Sequence, residues 1–228
     1  GHGMSNDEMN RRAILKSASA WGGIAAVGAL VARLDGAWSG PAMAQSAVAP
    51  PAQADTAVPF APDTVKKLAE RLSKSDFQKP KLDLPEPFNQ LTYDQYRDIR
   101  FKTDQSIWRG DKLDFEVQLF PVGFLYDLPV DIAIVEGDKA RPLKADGRMF
   151  SIGPLIPKAP DGAPFAFSGF RIHGPLNRSD YFDEYAVFQG ASYFRGVGRG
   201  QVYGMSARGL AINTARASGE EFPFFRAF

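Results

Sequence analysis

The chain has 228 residues, with 27 Lys+Arg against 26 Asp+Glu and a formal net charge of +1. That balance, with no long Lys/Arg block, excludes the electrostatic footprint of a nucleic-acid binder. The absence of cysteine excludes disulfides, thiolate catalysis and Cys-ligated zinc, while 18 phenylalanines, 22 glycines and 17 prolines favour a turn-rich β protein over a helical bundle.

Gly1-His2-Gly3 ahead of Met4 reads as an expression remnant and is set aside. "NRRAILK" then places Arg11 and Arg12 side by side, followed by the apolar run "ASAWGGIAAVGALVA" (18–32) and by "PAMAQ", with small residues at Ala42 and Ala44. Paired arginines, a modest apolar core and an A-x-A site predict a twin-arginine export signal over 1–44, cleavage after Ala44 and a periplasmic mature chain. The alternative is a transmembrane anchor, but this run falls short of the roughly 20 residues that span a bilayer.

Residues 45–60, "QSAVAPPAQADTAVPF", read as a flexible mature N-terminus. "APDTVKKLAERLSKS" predicts one short helix, because Val65, Leu68, Ala69 and Leu72 fall at i, i+3, i+4 and i+7 with Pro62 in the first turn. The stripe is expected to dock this helix on the domain. "PKLDLPEP" is a proline-interrupted loop.

From Leu91 onward the apolar period becomes two. Ile99 and Phe101 alternate with Arg100 and Lys102; Phe115, Val117 and Leu119 alternate with Glu116 and Gln118. Val130, Ile132 and Ile134 share one side before a turn at Gly137-Asp138, and "FAFSGFRIHGPL" and "GASYFRGVGRGQVYGMSARGLAINTA" continue the pattern with glycine-rich turns. No ten-residue helix intervenes, which disfavours βαβ units. The expected fold is mainly β, an antiparallel sandwich of short strands, with 61–228 as its N-terminal part. The chain closes on "EEFPFFRAF". Bare aromatics at an end would stay exposed, so a longer natural chain is expected.

Candidate chemistry concentrates in 190–213. Arg195, Arg199 and Arg208 offer planar donor forks, and Tyr193, Phe194 and Tyr203 offer rings that stack on sugar faces. The alternative is a half-buried hairpin with its arginines in solvent. "GVGRGQ" is no phosphate loop, since no helix follows it. Asp183-Glu184 would point to opposite strand faces, and adjacent carboxylates read more simply as a solvated turn. His173 reads as hydrogen-bonded structure rather than a ligand. A nucleophilic serine has no support without a G-x-S-x-G elbow. Tyr93, Tyr96, Arg97, Arg100 and Trp108 form either a carbohydrate platform or an aromatic core with surface arginines.

Five blocks occur together and in order: "LTYDQYRDIRFKTDQSIW", "FSGFRIHGPLN", "DEYAVFQGASYFR", "QVYGMSARGLAINT" and "GEEFPFFRAF". With the strands between them they cover about 86–228, and the set resembles the osmoregulated periplasmic glucan biosynthesis proteins, the G and D paralogues. The leader is similar to that of the D-type member. The resemblance implies a β-sandwich similar to galactose mutarotase-like domains, followed in the family by a smaller immunoglobulin-like domain. It implies synthesis or processing of the β-1,2-linked backbone of osmoregulated periplasmic glucans; the D-type is an inverting endo-β-1,2-glucanase. Inversion needs a general acid and a general base far enough apart to admit water. The family's acids lie in sequence beyond the "EEFPFFRAF" block, so no catalytic residue is carried over, and this chain alone is expected not to turn over substrate. A non-catalytic glucan-binding or synthase-partner module is the alternative.

Two departures stand out. Asn213 occupies a position where the family commonly has aspartate, and the family continues past Phe228 with the remainder of the sandwich. By residue type, Trp108, Arg171, Tyr193, Arg195, Tyr203 and Arg208 are the candidate glucan contacts. No cofactor or metal is implied. The expected partners are a β-1,2-glucan chain and the inner-membrane glucan synthase; a homodimer stays open.

Overall fold

The computed structural model of the chain describes residues 56–80, 82–156 and 166–228. The expected signal peptide (1–44) and most of the expected flexible segment (45–60) lie outside the described residues. The last residues of that segment contain β1 (Val58–Pro59). There follow α1 (Thr64–Ser73), α2 (Tyr93–Arg97), β2 (Ile99–Phe101), β3 (Glu116–Pro121), β4 (Ala133–Glu136) and β5 (Lys139–Pro142). After them come β6 (Phe150–Ile152), β7 (Phe167–Arg178), β8 (Tyr181–Gln189), β9 (Tyr193–Gly196) and β10 (Met205–Arg208).

The predicted antiparallel architecture is present. A five-stranded sheet runs β10-β9-β8-β7-β3, a three-stranded sheet β1-β5-β4, and β2 pairs with β6. The β4–β5 turn falls where the sequence puts it, with Glu136 opposite Lys139 and Gly137-Asp138 between them. The period-two pattern fixes which side chains meet. Ile99 and Phe101 of β2, Val117 and Leu119 of β3, Ile134 of β4, Phe150 of β6 and Phe167 of β7 share one buried cluster with Phe88, Leu91, Ile132 and Met149. The cluster thus draws on β2, β3, β4, β6 and β7.

One face of the long sheet carries an aromatic ladder. Phe170, Phe188 and Phe194 lie opposite one another on β7, β8 and β9. Their rings stack at centroid distances of 5.0 and 6.1 Å. The ladder extends to the end of the chain, where Phe228 meets Phe170 edge-on at 4.9 Å and Phe225 lies 4.7 Å from Phe228. Ala227 forms a parallel bridge with Asp131, and Phe228 exchanges backbone hydrogen bonds with Asp131 and Ala133. Of the terminal aromatics, Phe224 is exposed as expected, whereas Phe225 and Phe228 are half-buried, because the last residues align beside β4 and lay their rings on the ladder.

Two local departures from the sequence reading have clear causes. The α1 stripe does not dock. Val65 and Leu72 are 63% and 51% exposed, and no residue of the helix is buried. Periodicity fixes which side of a helix is apolar, not whether another element covers it. The short α2 was not anticipated. Thr92 and Gln95 form a reciprocal capping box at its start, a T-x-x-Q signal that the strand-like alternation masked.

Close approach of backbones governs the junction of β7 and β8. A Cβ on Gly169 would sit 2.0 Å from the Phe188 carbonyl oxygen, so only glycine fits there. Beside it, Tyr96 Oη donates to the Pro121 carbonyl at 2.8 Å and accepts from Gln189 Nε2 at 3.0 Å. Gln189 Nε2 also reaches Ser168 Oγ at 2.9 Å. This network ties α2 to β3, β7 and β8.

Leu119 is 1% exposed at the centre of the cluster. Leu119→Ala should lower unfolding stability by about 3 kcal/mol through the cavity it leaves. Val202→Ser, at a position 81% exposed, should leave urea unfolding essentially unchanged.

Candidate functional site

The face of the long sheet opposite the aromatic ladder is polar, and its centre is one carboxylate. Strand pairing places Gln118 beside Arg171, Arg171 beside Val187 and Val187 beside Arg195, so these side chains share one face. Glu184 joins them through a bulge. Ile172 pairs with Ala186, but the next residue, His173, pairs with Glu184, leaving Tyr185 as the extra residue. The bulge shifts the phase of β8 by one and turns Glu184 onto the face of Arg171.

Glu184 accepts from both arginines. Arg171 Nη1 donates to Glu184 Oε2 at 3.1 Å, and Arg195 Nη2 donates to Oε1. Arg171 Nη2 also donates to Gln118 Oε1 at 2.8 Å, while its guanidinium lies 5.3 Å from the Phe120 ring centre. Arg171 is therefore fixed from several sides. Arg195 has fewer partners: it gives one nitrogen to Glu184, while its side chain is about as open as that of Arg171, 24% against 28%. Guanidinium carries five N–H donors, so unused donors remain at this edge. Tyr193, two residues before Arg195, lies on the same face and shares a 2.8 Å hydrogen bond with Ser206.

Next to this centre, Arg109 donates to both oxygens of Glu116 at 3.3 and 3.1 Å. Glu116 and Gln118, read from alternation as outward polar positions, are only 6% and 4% exposed because arginines lie over them. His173 sits in register between Glu116 and Glu184. Its Nδ1 faces the Phe182 carbonyl at 3.2 Å; a carbonyl only accepts, so Nδ1 carries the proton. Burial, aided by Arg171, pushes this imidazole below its ordinary pKa and keeps it neutral. Its expected role as hydrogen-bonded structure matches this geometry. Burial likewise pushes the Tyr96 hydroxyl up to about 12.

The six sequence candidates separate. Arg171, Arg195 and Tyr193 come together. Trp108 does not join them: it packs on the core edge-to-face with Phe115 at 5.5 Å, in a turn where its φ is +64°. Arg208 pairs in register with Tyr193, on the same strand face, but its guanidinium is committed, with Nη1 donating to the Ala191 carbonyl at 2.7 Å and the group lying 4.1 Å over the Phe222 ring. Tyr203 stands 74% exposed between β9 and β10, on no shared face. Reasoning from sequence set Glu184 aside as part of a solvated turn. The structure corrects this: both carboxylates are on β8, Glu184 between the arginines and Asp183 accepting from Asn177. Asn213 adopts φ +56°, a left-handed conformation that asparagine and aspartate both tolerate, so backbone geometry does not separate them there.

The fold and this face define a β-sheet protein with an arginine-rich polar surface. Residues 60–228 match the family model described as "Periplasmic glucan biosynthesis protein, MdoG", and the chain belongs to that family. It is 49% identical over 169 residues to a glucans biosynthesis protein G of Vibrio cholerae serotype O1, covering 74% of this chain and 31% of the relative. It is 50% identical over 177 residues to a protein of the same name from Bradyrhizobium diazoefficiens, covering 78% and 35%. A Ralstonia nicotianae relative of that name shows 50% over 177 residues, again covering 78% and 35%. The chain thus spans about a third of the length of these relatives. They carry the G name, whereas the D-type expectation rested on the leader alone.

Removing Glu184 leaves two half-buried guanidiniums unpaired. Glu184→Ala should cost about 2 kcal/mol of stability, while Lys79→Ala, which breaks a solvent-exposed pair with Asp127, should not measurably shift unfolding. The depressed pKa of His173 has a defined sign. The folded state binds the proton less readily than the unfolded chain, so stability is complete above the ordinary pKa of about 6.5 and is lost as pH falls below it. His173→Asn should flatten that part of the stability–pH curve, measured by urea unfolding between pH 7.5 and 5 (roughly one unit either side of the unperturbed imidazole).

Proposed function

We propose that this chain binds a β-1,2-linked glucan backbone along the polar face of the long sheet, as part of periplasmic glucan biosynthesis or processing. The carrying observation is the pairing of Arg195, with donors to spare, and Tyr193 on a face held in place by Glu184 and Arg171. Guanidinium donors match sugar hydroxyls, and a tyrosine ring gives an apolar surface with a polar tip for the face and edge of a pyranose. The names of the relatives support the substrate class. The family is named for the periplasm, and the Arg11-Arg12 leader supports export by the twin-arginine route.

Within this reading the described part binds and orients the glucan and does not cut it. Both oxygens of Glu184 accept from guanidiniums, and Glu116 is engaged by Arg109, so neither carboxyl is placed to hand a proton to a glycosidic oxygen. This favours the binding role for these residues over a complete hydrolytic pair.

Titration calorimetry with linear β-1,2-glucan tests the reading. Arg195→Ala and Tyr193→Ala should each weaken binding on the order of tenfold, and Tyr203→Ala should leave it unchanged. Equal affinity for all three variants, or equal affinity for a β-1,4-linked glucan, contradicts the assignment. Replacing Arg11 and Arg12 together by lysine should abolish periplasmic accumulation in a fractionation assay.

A further inference from the structure

An aromatic cluster at the junction of α2 and the β3–β4 connection takes no part in the site described above. Tyr93 and Phe124 are 37% and 38% exposed, with ring centres 5.7 Å apart. Arg97 holds its guanidinium 5.5 Å from the Tyr93 ring centre. Among the described residues no group hydrogen-bonds the Tyr93 hydroxyl. Behind them Tyr96 and Tyr126 pack at 5.6 Å, and Tyr96 is anchored to Pro121 and Gln189.

Phe124 is an outlier in two respects. It stands at the first central position of a tight turn closed by reciprocal backbone hydrogen bonds of 2.9 Å between Gly123 and Tyr126. There its φ is +55°, a left-handed conformation at a place where glycine is the ordinary choice. A bulky ring in a strained backbone, half in solvent, gains little from folding. Strain retained at an exposed aromatic is the kind of outlier that points to a binding role.

The cluster is continuous with the polar face. Tyr126 lies against Gly190, where an added Cβ would come within 3.4 Å of its ring, and Gly190 leads from β8 into the turn before Tyr193. Gln189, which holds Tyr96, pairs in register with Tyr193. Burial first, then Tyr96 and Tyr193, push the Tyr126 hydroxyl up, so Tyr193 lies near it.

We propose that Tyr93 and Phe124, with Arg97 over the Tyr93 ring, form a second carbohydrate-stacking platform that extends the glucan track beyond Tyr193; this rests on the glucan-binding reading above. The occupant is a further stretch of the same neutral glucan chain. Rings with a guanidinium at one side suit pyranose faces and their hydroxyls, and only a chain several sugars long would span both places.

Phe124→Gly separates function from folding, since it removes the ring and relieves the strained backbone together. The melting temperature should stay level or rise. Affinity for a β-1,2-glucan of about ten units should fall on the order of fivefold, and affinity for a β-1,2-linked disaccharide should not change. Tyr93→Ala should repeat this length-dependent loss. Wild-type binding with both variants matching it on the long glucan overturns the platform and leaves the polar-face reading standing, as it would if the cluster docked a protein. A wild-type chain that binds neither glucan overturns both.

Discussion

Glu184 holds the polar face together because it satisfies two positive charges at once. Arg171 and Arg195 lie on non-adjacent strands with β8 between them, and neither could be half-buried at that separation without an anion to share. Hydrogen bonds between ionised partners are shorter and stronger than neutral ones, so the cluster also fixes where each guanidinium points. The rest of the face follows from it. Arg171 is locked between Glu184, Gln118 and the Phe120 ring, which makes it a strut. Arg195 is oriented from one side only and keeps its outer donors available.

The two faces of the long sheet are coupled through strand alternation. Phe170 precedes Arg171, Phe188 follows Val187 and Phe194 precedes Arg195, so each rung of the aromatic ladder sets the height of a neighbour on the polar side. Stacked rings add about 0.5 to 1.5 kcal/mol per pair beyond their buried area. They also resist slippage, because a shift of one residue would drive arginines into the aromatic side. Phe225 and Phe228 reinforce the ladder from outside, and that contact gives the last residues of the chain a structural role.

How far the sequence discloses this depends on whether a feature follows strict alternation. Val117 and Leu119, Ile99 and Phe101, and the Gly137-Asp138 turn obey period-two rules and were legible. So was the shared face of Tyr193 and Arg195. Glu184 was not, because the extra residue at Tyr185 breaks the count: unbulged alternation puts Glu184 with Ala186 and Phe188 on the opposite side. Bulges carry no dependable residue signature. Arg208 and Trp108 are engaged by other groups for a different reason. Residue type made them candidates, but Arg208 is claimed by Phe222, fourteen positions on, and Trp108 by the core. The α1 helix shows the same limit, since an apolar stripe says nothing about a partner. The T-x-x-Q signal at Thr92 is present in the sequence, but it stands next to a stretch whose alternation reads as strand.

A neutral polysaccharide sets particular demands on such a surface. It offers no net charge for long-range steering, and each hydroxyl must give up water to bind, so a single hydrogen bond contributes only about 1 kcal/mol net. Useful affinity then requires several modest contacts spaced along the chain rather than one strong pocket. A sheet face suits this, because strands place side chains at fixed intervals and the ladder beneath keeps them there. If Arg171 and Glu184 were both free to meet ligand, the face would favour ions over sugars. The donors that Arg195 leaves unused and the Tyr193 ring are the kinds of contact that the proposed sugar chain would use.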